Sequence, residues 1–395
     1  MSDLARVAIV AGPDAGHAFP AFSLAERLTR HGIAAVVFTG RRWRAVAGAR
    51  GIVVEELPGL AAQADDDDTD AGAKLSHRAA RIATALAPRL VERRIDLVVS
   101  DVITVGGAWA AELAGIAWIE LSPHPLYLPS KGLPPIGAGL EPGTGPAGRL
   151  RDAMLRTAAR RSLRQGERQR ERARGGIGLH GRCGHPVARF VATLPALEVR
   201  RPDWPADTHL VGPLLWEPTD DVFERPTGPG PLVLVAPSTA STGATDMASV
   251  ALAALSGEAL GMAVRVVVSA LERPRGITGA DGVVIGSARQ DEILAEVDLV
   301  VCGAGHGMLA KALAAGVPVV TVPGGGDQWE LANRVRRQGS GLLVRPVEAG
   351  ALASAVATVL SDPGFGEAAR RAAASSSAVV DPVRIVEGLL AARDG

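Results

Sequence analysis

His17 lies just beyond the apolar run Val7 to Ala11, at the end of a Gly12-Pro13-Asp14-Ala15-Gly16 loop. If the run is a strand, the imidazole sits at the carboxyl edge of a sheet, where a neutral ring can take a proton near pH 7. Asp101 follows a second apolar run, Leu97-Val98-Val99-Ser100. A carboxylate there can hold the imidazole tautomer and stabilise imidazolium, or simply cap the helix that follows. Farther along, Val300 to Cys302 leads into Gly303-Ala304-Gly305-His306-Gly307 and a helical stretch reaching Ala315. Glycines let backbone amides approach a ligand closely. The helix start adds unpaired N–H groups and a partial positive charge, a combination suited to cradling a diphosphate. A further run, Val317 to Val322, ends in Pro323-Gly324-Gly325-Gly326 and then Asp327-Gln328. A carboxylate beside a carboxamide suits paired hydrogen bonds to sugar hydroxyls, with a helix cap as the plainer reading.

These residues need strands and helices to position them, and the chain supplies both in alternation. Apolar runs recur at Ala34 to Phe38, Ile52 to Val54, Leu97 to Val99 and Ala117 to Ile119. Helical spacing falls between them, as at Phe22, Ala25 and Leu28, and from Val105 to Leu113. The pattern restarts at Leu232 to Ala236, followed by a helix from Met247 to Leu260. Further strands are predicted at Val264 to Val268, Val283 to Ile285, Leu299 to Val301, Val317 to Val322 and Leu342 to Val344. Such β-α-β alternation predicts an α/β protein of two doubly wound, Rossmann-like domains with a cleft between them. The proline-rich, acidic stretch Trp216 to Pro231 reads as an exposed linker. The expected division is therefore 1–215, 216–231 and 232–395, with the last helix free to return to the first domain.

Composition narrows the function classes. The 395 residues carry 42 basic and 42 acidic side chains, which excludes a globally basic nucleic-acid binder. Two cysteines, Cys183 and Cys302, exclude a disulfide-dense scaffold. No apolar run is long enough to cross a bilayer, and the first residues lack a charged-then-apolar leader, so a cytoplasmic location is expected.

The ordered set of glycine loop, Ala315-Gly316-Val317-Pro318 and Gly326-Asp327-Gln328 is more specific than any one part. It resembles the nucleotide-sugar-binding motif of GT-B-fold glycosyltransferases, particularly the family 1 enzymes that decorate antibiotics and other natural products. Gly16-His17-Ala18-Phe19-Pro20, Leu24-Ala25 and His31-Gly32 are similar to that family's opening motif. Ser100-Asp101, Trp109-Ala110 and Ala114-Gly115-Ile116 are similar to its middle segment, and Val211-Gly212-Pro213-Leu214 to its approach to the linker. The resemblance implies an inverting transfer of sugar from a nucleotide diphosphate sugar to a hydroxyl of a hydrophobic small molecule or lipid. It implies His17 as base, Asp101 as its partner, and a diphosphate held by Ser238, Thr239 and the amides of Gly305, His306, Gly307 and Met308. Asp327 and Gln328 would hold the sugar. No metal or other cofactor is implied, and a monomer or homodimer is expected. A non-catalytic nucleotide-sugar-binding relative is the alternative.

The sequence departs from the family in its phosphate loop. Gly303 stands for the usual histidine, Met308 for the usual Ser or Thr, and Lys311 for the usual glutamate. His306 reads either as the supplier of the missing phosphate contact or as a side chain packed against the neighbouring loop. Ser287-Ala288-Arg289-Gln290 occupies the place of a base-stacking tryptophan, which leaves TDP and UDP both open as donor nucleotides.

Three segments stand apart. Asp65 to Asp70 reads as a solvated acidic loop, with a divalent-cation site as the lesser reading. His180, Cys183 and His185 lack a fourth ligand, so zinc is not expected. Arg149 to Arg174 carries ten arginines. It reads either as a solvated helix with Glu167 and Glu171 pairing locally, which is preferred, or as a basic helix touching anionic lipid or an anionic acceptor.

Overall fold

The structure is a computed structural model that describes residues 4–62, 70–181, 184–239, 243–244, 246–271 and 282–393. The first half runs β1 (Arg6–Val10), α1 (Ala15–Arg30), β2 (Ala34–Thr39), α2 (Arg44–Ala49), β3 (Val53–Glu56), α3 (Ala71–Glu92), β4 (Leu97–Asp101) and α4 (Gly106–Ala114). It continues with β5 (Trp118–Ser122), α5 (Gly145–Gly175), β6 (Ala188–Val191) and β7 (Thr208–Leu210). The second half runs β8 (Leu232–Ala236), α6 (Met247–Ala254), α7 (Gly257–Leu260), β9 (Arg265–Ser269), β10 (Val283–Gly286), α8 (Gln290–Leu294) and β11 (Leu299–Cys302). After it come α9 (His306–Ala314), β12 (Val319–Thr321), α10 (Gln328–Gln338), β13 (Gly341–Leu343), α11 (Ala349–Ser361), α12 (Pro363–Ala374) and α13 (Pro382–Ala391).

Each half forms one all-parallel sheet. The orders are β3-β2-β1-β4-β5-β6-β7 and β10-β9-β8-β11-β12-β13. Both sheets change winding direction after their third strand, between β1 and β4 and again between β8 and β11. Crevices open at the carboxyl ends of strands at such switch points. The two α/β sheets match the expected fold class. Apolar clusters cover both faces of each sheet, as β-branched strands buried on two sides require. Beside the first switch point, α4 lies unusually close to the sheet. A Cβ on Gly107 would come within 2.7 Å of Val10 Cβ and 2.8 Å of Ser100 Oγ, so only glycine permits this approach.

Four differences from the sequence reading have physical causes. The helix expected from Met247 to Leu260 is two helices, because Ser256 Oγ accepts from the Ala259 amide and starts a new one. Strands β6 and β7 were not foreseen. They are short, and Arg189, Thr208 and His209 interrupt their apolar character. The linker is not simply exposed. Trp216 is buried against Phe19 and Phe22, with its indole N–H donating to Glu26 at 2.7 Å, and Phe223 is buried in the second domain. Finally, Glu167 and Glu171 make no ion pair among the described residues.

The last helix crosses back. Val383 and Val386 of α13 are buried in the same cluster as Phe22, Leu214 and Trp216 of the first domain, and Arg393 pairs with Asp96 at 2.6 Å.

Candidate active site

A cleft of about 600 Å³ lies between the carboxyl edges of the two sheets. His17, in the first turn of α1, reaches it from one side; Ser238, His306 and Asp327 reach it from the other. His17 Nδ1 is 2.9 Å from Asp101 Oδ1. A carboxylate only accepts, so Nδ1 carries the proton and Nε2 keeps its lone pair for a substrate. Thr104 Oγ1 donates to Asp101 Oδ2 at 2.8 Å, and Asp101 is 1% exposed. The adjacent crevice strands β1 and β4 thus bring together the two residues predicted as a pair.

Burial pulls the His17 pKa down, but the charge and hydrogen bond of Asp101 outweigh it and leave the imidazole above its ordinary value. The sign of the stability effect follows. The attraction is fully present below about pH 6.5, the ordinary histidine value, and is lost as pH rises through the higher pKa of the folded state.

Across the cleft, Gly305 leads into α9 without a side-chain cap. The amides of His306, Gly307 and Met308 therefore begin the helix with no side-chain acceptor, and all three residues line the cleft. Ala304, directly before this turn, is fully buried at φ 60°, a left-handed conformation that costs a non-glycine residue free energy and is concentrated at functional sites. Gly303 explains itself. A Cβ there would sit 2.8 Å from Ser238 Cβ and 3.2 Å from the Ser238 amide, so no histidine fits while Ser238 holds its place. Thr239 is exposed at the cleft edge.

His306 does two things at once. It lines the cleft, and its Nε2 lies 2.8 Å from Oγ1 of Thr193, a buried residue just after β6 in the other domain. Burial, with smaller contributions from the neighbouring His124, Arg334 and His17, drops its pKa to about 3, so the ring is neutral. Gln328 is buried with both ends of its amide engaged. It accepts from the Gly324 amide and donates to Ser238 Oγ, each at 2.9 Å, and so ties the glycine turn to the β8 loop. Asp327 makes no side-chain cap to α10. Its Oδ2 accepts from Tyr127 of the first domain at 3.3 Å.

The sequence reading missed several residues here. His124 lines the cleft with His17. Its Nδ1 lies 2.8 Å from the Pro125 carbonyl, which only accepts, so this second imidazole also presents a bare Nε2. It stacks on Tyr127 at 4.3 Å, and burial lowers its pKa. Its sequence signal, a histidine beyond the carboxyl end of a parallel strand, is the same as that of His17. Lys311 Nζ pairs with Glu217 of the linker at 2.6 Å and with Gln290 Oε1 at 2.9 Å. Burial pushes the Cys302 thiol up to about 12, which removes it as a nucleophile.

Among the described residues no cluster of three or more His, Cys, Asp or Glu is arranged to hold a metal. Asp70 instead caps α3, accepting from the Ala73 amide; Asp65 to Thr69 and Cys183 lie outside the described residues.

Comparison with known proteins agrees with this geometry. Residues 274–392 match the family model for the erythromycin biosynthesis protein CIII-like C-terminal domain. The chain is 27% identical to 4'-demethylrebeccamycin synthase of Lentzea aerocolonigenes, an alignment covering 98% of this chain and 100% of that protein. The calicheamicin glycosyltransferase CalG4 superposes with a TM-score of 0.74 at 19% identity, covering 100% of both chains. The glycosyltransferase SsfS6 of Streptomyces sp. SF2575, complexed with thymidine diphosphate, superposes with a TM-score of 0.69 at 19% identity, covering 97% of this chain and 99% of that one. A full-length relative, the carboxyl-terminal domain match and two facing Rossmann-like sheets show the GT-B fold and make the chain similar to the glycosyltransferases of antibiotic biosynthesis.

Proposed function

We propose that the chain inverts the anomeric centre of a nucleoside diphosphate sugar as it transfers the sugar to a hydroxyl of a hydrophobic small molecule or lipid, without a metal. One observation carries this reading: the Asp101-oriented imidazole of His17 and the uncapped start of α9 line the same cleft. His17 Nε2 takes the proton of the acceptor hydroxyl. The acceptor oxygen bonds to the anomeric carbon from the face opposite the leaving group, and the bond from that carbon to the phosphate oxygen breaks. The electron pair leaves on the diphosphate, where Ser238, Thr239 and the amides of Gly305 to Met308 stabilise it, as fixed dipoles aimed at developing charge do. Asp327 holds the sugar, and Gln328 acts by holding Ser238.

The relative crystallised with thymidine diphosphate makes thymidine and uridine diphosphate sugars the first donors to screen. A bound donor raises the unfolding midpoint by mass action. A donor found this way, tested with apolar phenolic and macrolide acceptors, should give a product of inverted anomeric configuration by NMR, unaffected by a chelator. A retained configuration, or a rate that collapses with chelator and returns with a divalent cation, would overturn the mechanism.

The raised His17 pKa has a kinetic counterpart. The base works only as neutral imidazole, so kcat/KM should climb with pH through an apparent pKa above about 6.5. Asp101→Asn should slow transfer and shift that limb downward, because the carboxylate that favours imidazolium is gone. An unmoved limb would assign the titration to another group.

A further inference from the structure

The helix α5 is 31 residues long, yet its fully buried residues are only Asp152, Ala173 and Arg174. It lies against α3, with Gln169 donating to Asp70 at 2.6 Å, and near its end Arg174 pairs with Glu112 of α4 at 2.8 Å. The opposite side is a single row at helical spacing of three and four: Leu150, Met154, Thr157, Arg161, Arg164, Arg168 and Arg172. Every member of the row is exposed; Leu150 is 62% and Met154 65% accessible. At 1.5 Å per residue the row is roughly 33 Å long. Its four arginines form no ion pair among the described residues, and neither do Glu167 and Glu171 on the neighbouring flank. The solvated-helix reading relied on that local pairing.

We propose that this row is a docking surface for an anionic lipid bilayer. The charge complementarity is local, since the chain as a whole has a formal net charge of zero. A straight row of guanidinium groups matches a plane of phosphates. The two exposed apolar side chains at its amino-terminal end can enter the boundary between headgroups and acyl chains, which a nucleic-acid backbone does not offer. The segment leading into α5 reaches the second domain, where the Gly139 amide donates to Glu330 of α10 at 2.9 Å. Docking along α5 therefore brings the segment that bridges the two domains toward the membrane surface, where apolar molecules concentrate.

Sedimentation of the full chain with vesicles tests this. The chain should pellet with phosphatidylcholine–phosphatidylglycerol vesicles at low salt, stay in solution with phosphatidylcholine alone, and be released by added salt. Each arginine near an anionic surface is worth about fivefold in affinity. The variant with Arg161, Arg164, Arg168 and Arg172 all changed to Gln should therefore lose about 10²-fold or more. These side chains form no ion pair among the described residues, so an unchanged unfolding midpoint should accompany the loss. Leu150→Ser with Met154→Ser should weaken vesicle binding while leaving retention on heparin unchanged. The proposal is overturned if the wild type ignores anionic vesicles, if the four-arginine variant binds as well as the wild type, or if duplex DNA competes for the row as effectively as lipid.

Discussion

Replacing His17 with alanine is expected to lower sugar transfer by about 10²-fold or more, the scale on which a positioned general base acts. The substitution removes the imidazole oriented by Asp101 and leaves the donor-side groups in place. Affinity for nucleoside diphosphate should therefore stay within about twofold, because His17 reaches the cleft from the opposite domain. Steady-state transfer and titration of nucleoside diphosphate measure the two halves separately. Near-normal turnover would move the base role elsewhere, with His124 next in line, since it too presents a bare Nε2 to the cleft. A large loss of diphosphate affinity would instead make His17 part of the donor site.

A second large effect is expected at Arg334. This residue of α10 is 5% exposed and joins three elements. It donates to Glu330 at 3.1 Å, donates to the Leu197 carbonyl at 2.8 Å, and lies 3.6 Å from Glu198. Leu197 and Glu198 belong to the segment between β6 and β7. Glu198 in turn accepts from the Leu126 amide at 2.6 Å. Burial pushes the Glu198 carboxyl above the usual carboxylate range, against the pull of these partners. Arg334→Met fills the space but takes away the cation shared by both buried carboxylates, leaving Glu330 with Arg337 at 3.9 Å and Glu198 with the charge of Arg201. Breaking a buried pair on one side typically costs about 3–5 kcal/mol, more than the net value of the pair itself. Denaturant unfolding should show a loss of that size, reduced at low pH where the two carboxylates take up protons. Because Asp327 directly precedes α10, donor binding should weaken as well. A change below about 0.5 kcal/mol would show that water reaches the network freely.

The legible parts of this protein are those set by local pattern. Short apolar runs announce β1, β4, β8 and β11, and a parallel sheet places whatever follows such a run at one edge. His17, Asp101, Ser238 and the Gly303 loop all follow such runs, so their convergence on one cleft could be read in advance. Contacts between distant segments were not legible. Thr193 against His306, Tyr127 against Asp327 and Glu198 against Arg334 each join residues more than a hundred positions apart. None carries a periodicity or a turn residue that points to its partner. The linker misled through composition. Its prolines and acids suggested solvent, while Trp216 and Phe223 carried the opposite signal and were buried.

The return of α13 to the first domain bears on how the chain is made. On the ribosome, residues 1–215 emerge first, with α1 and the Trp216 region apolar on the side that Val383 and Val386 will later cover. Domains generally fold as units during synthesis, the amino-terminal one first. Here the earlier domain waits, incompletely sealed, until α13 has been translated. The exposed interval is the time taken to translate the whole donor domain. A nascent chain stalled before Pro382 should display that uncovered face to chaperones, and release of the final helix ends the exposure by closing both domains into one molecule.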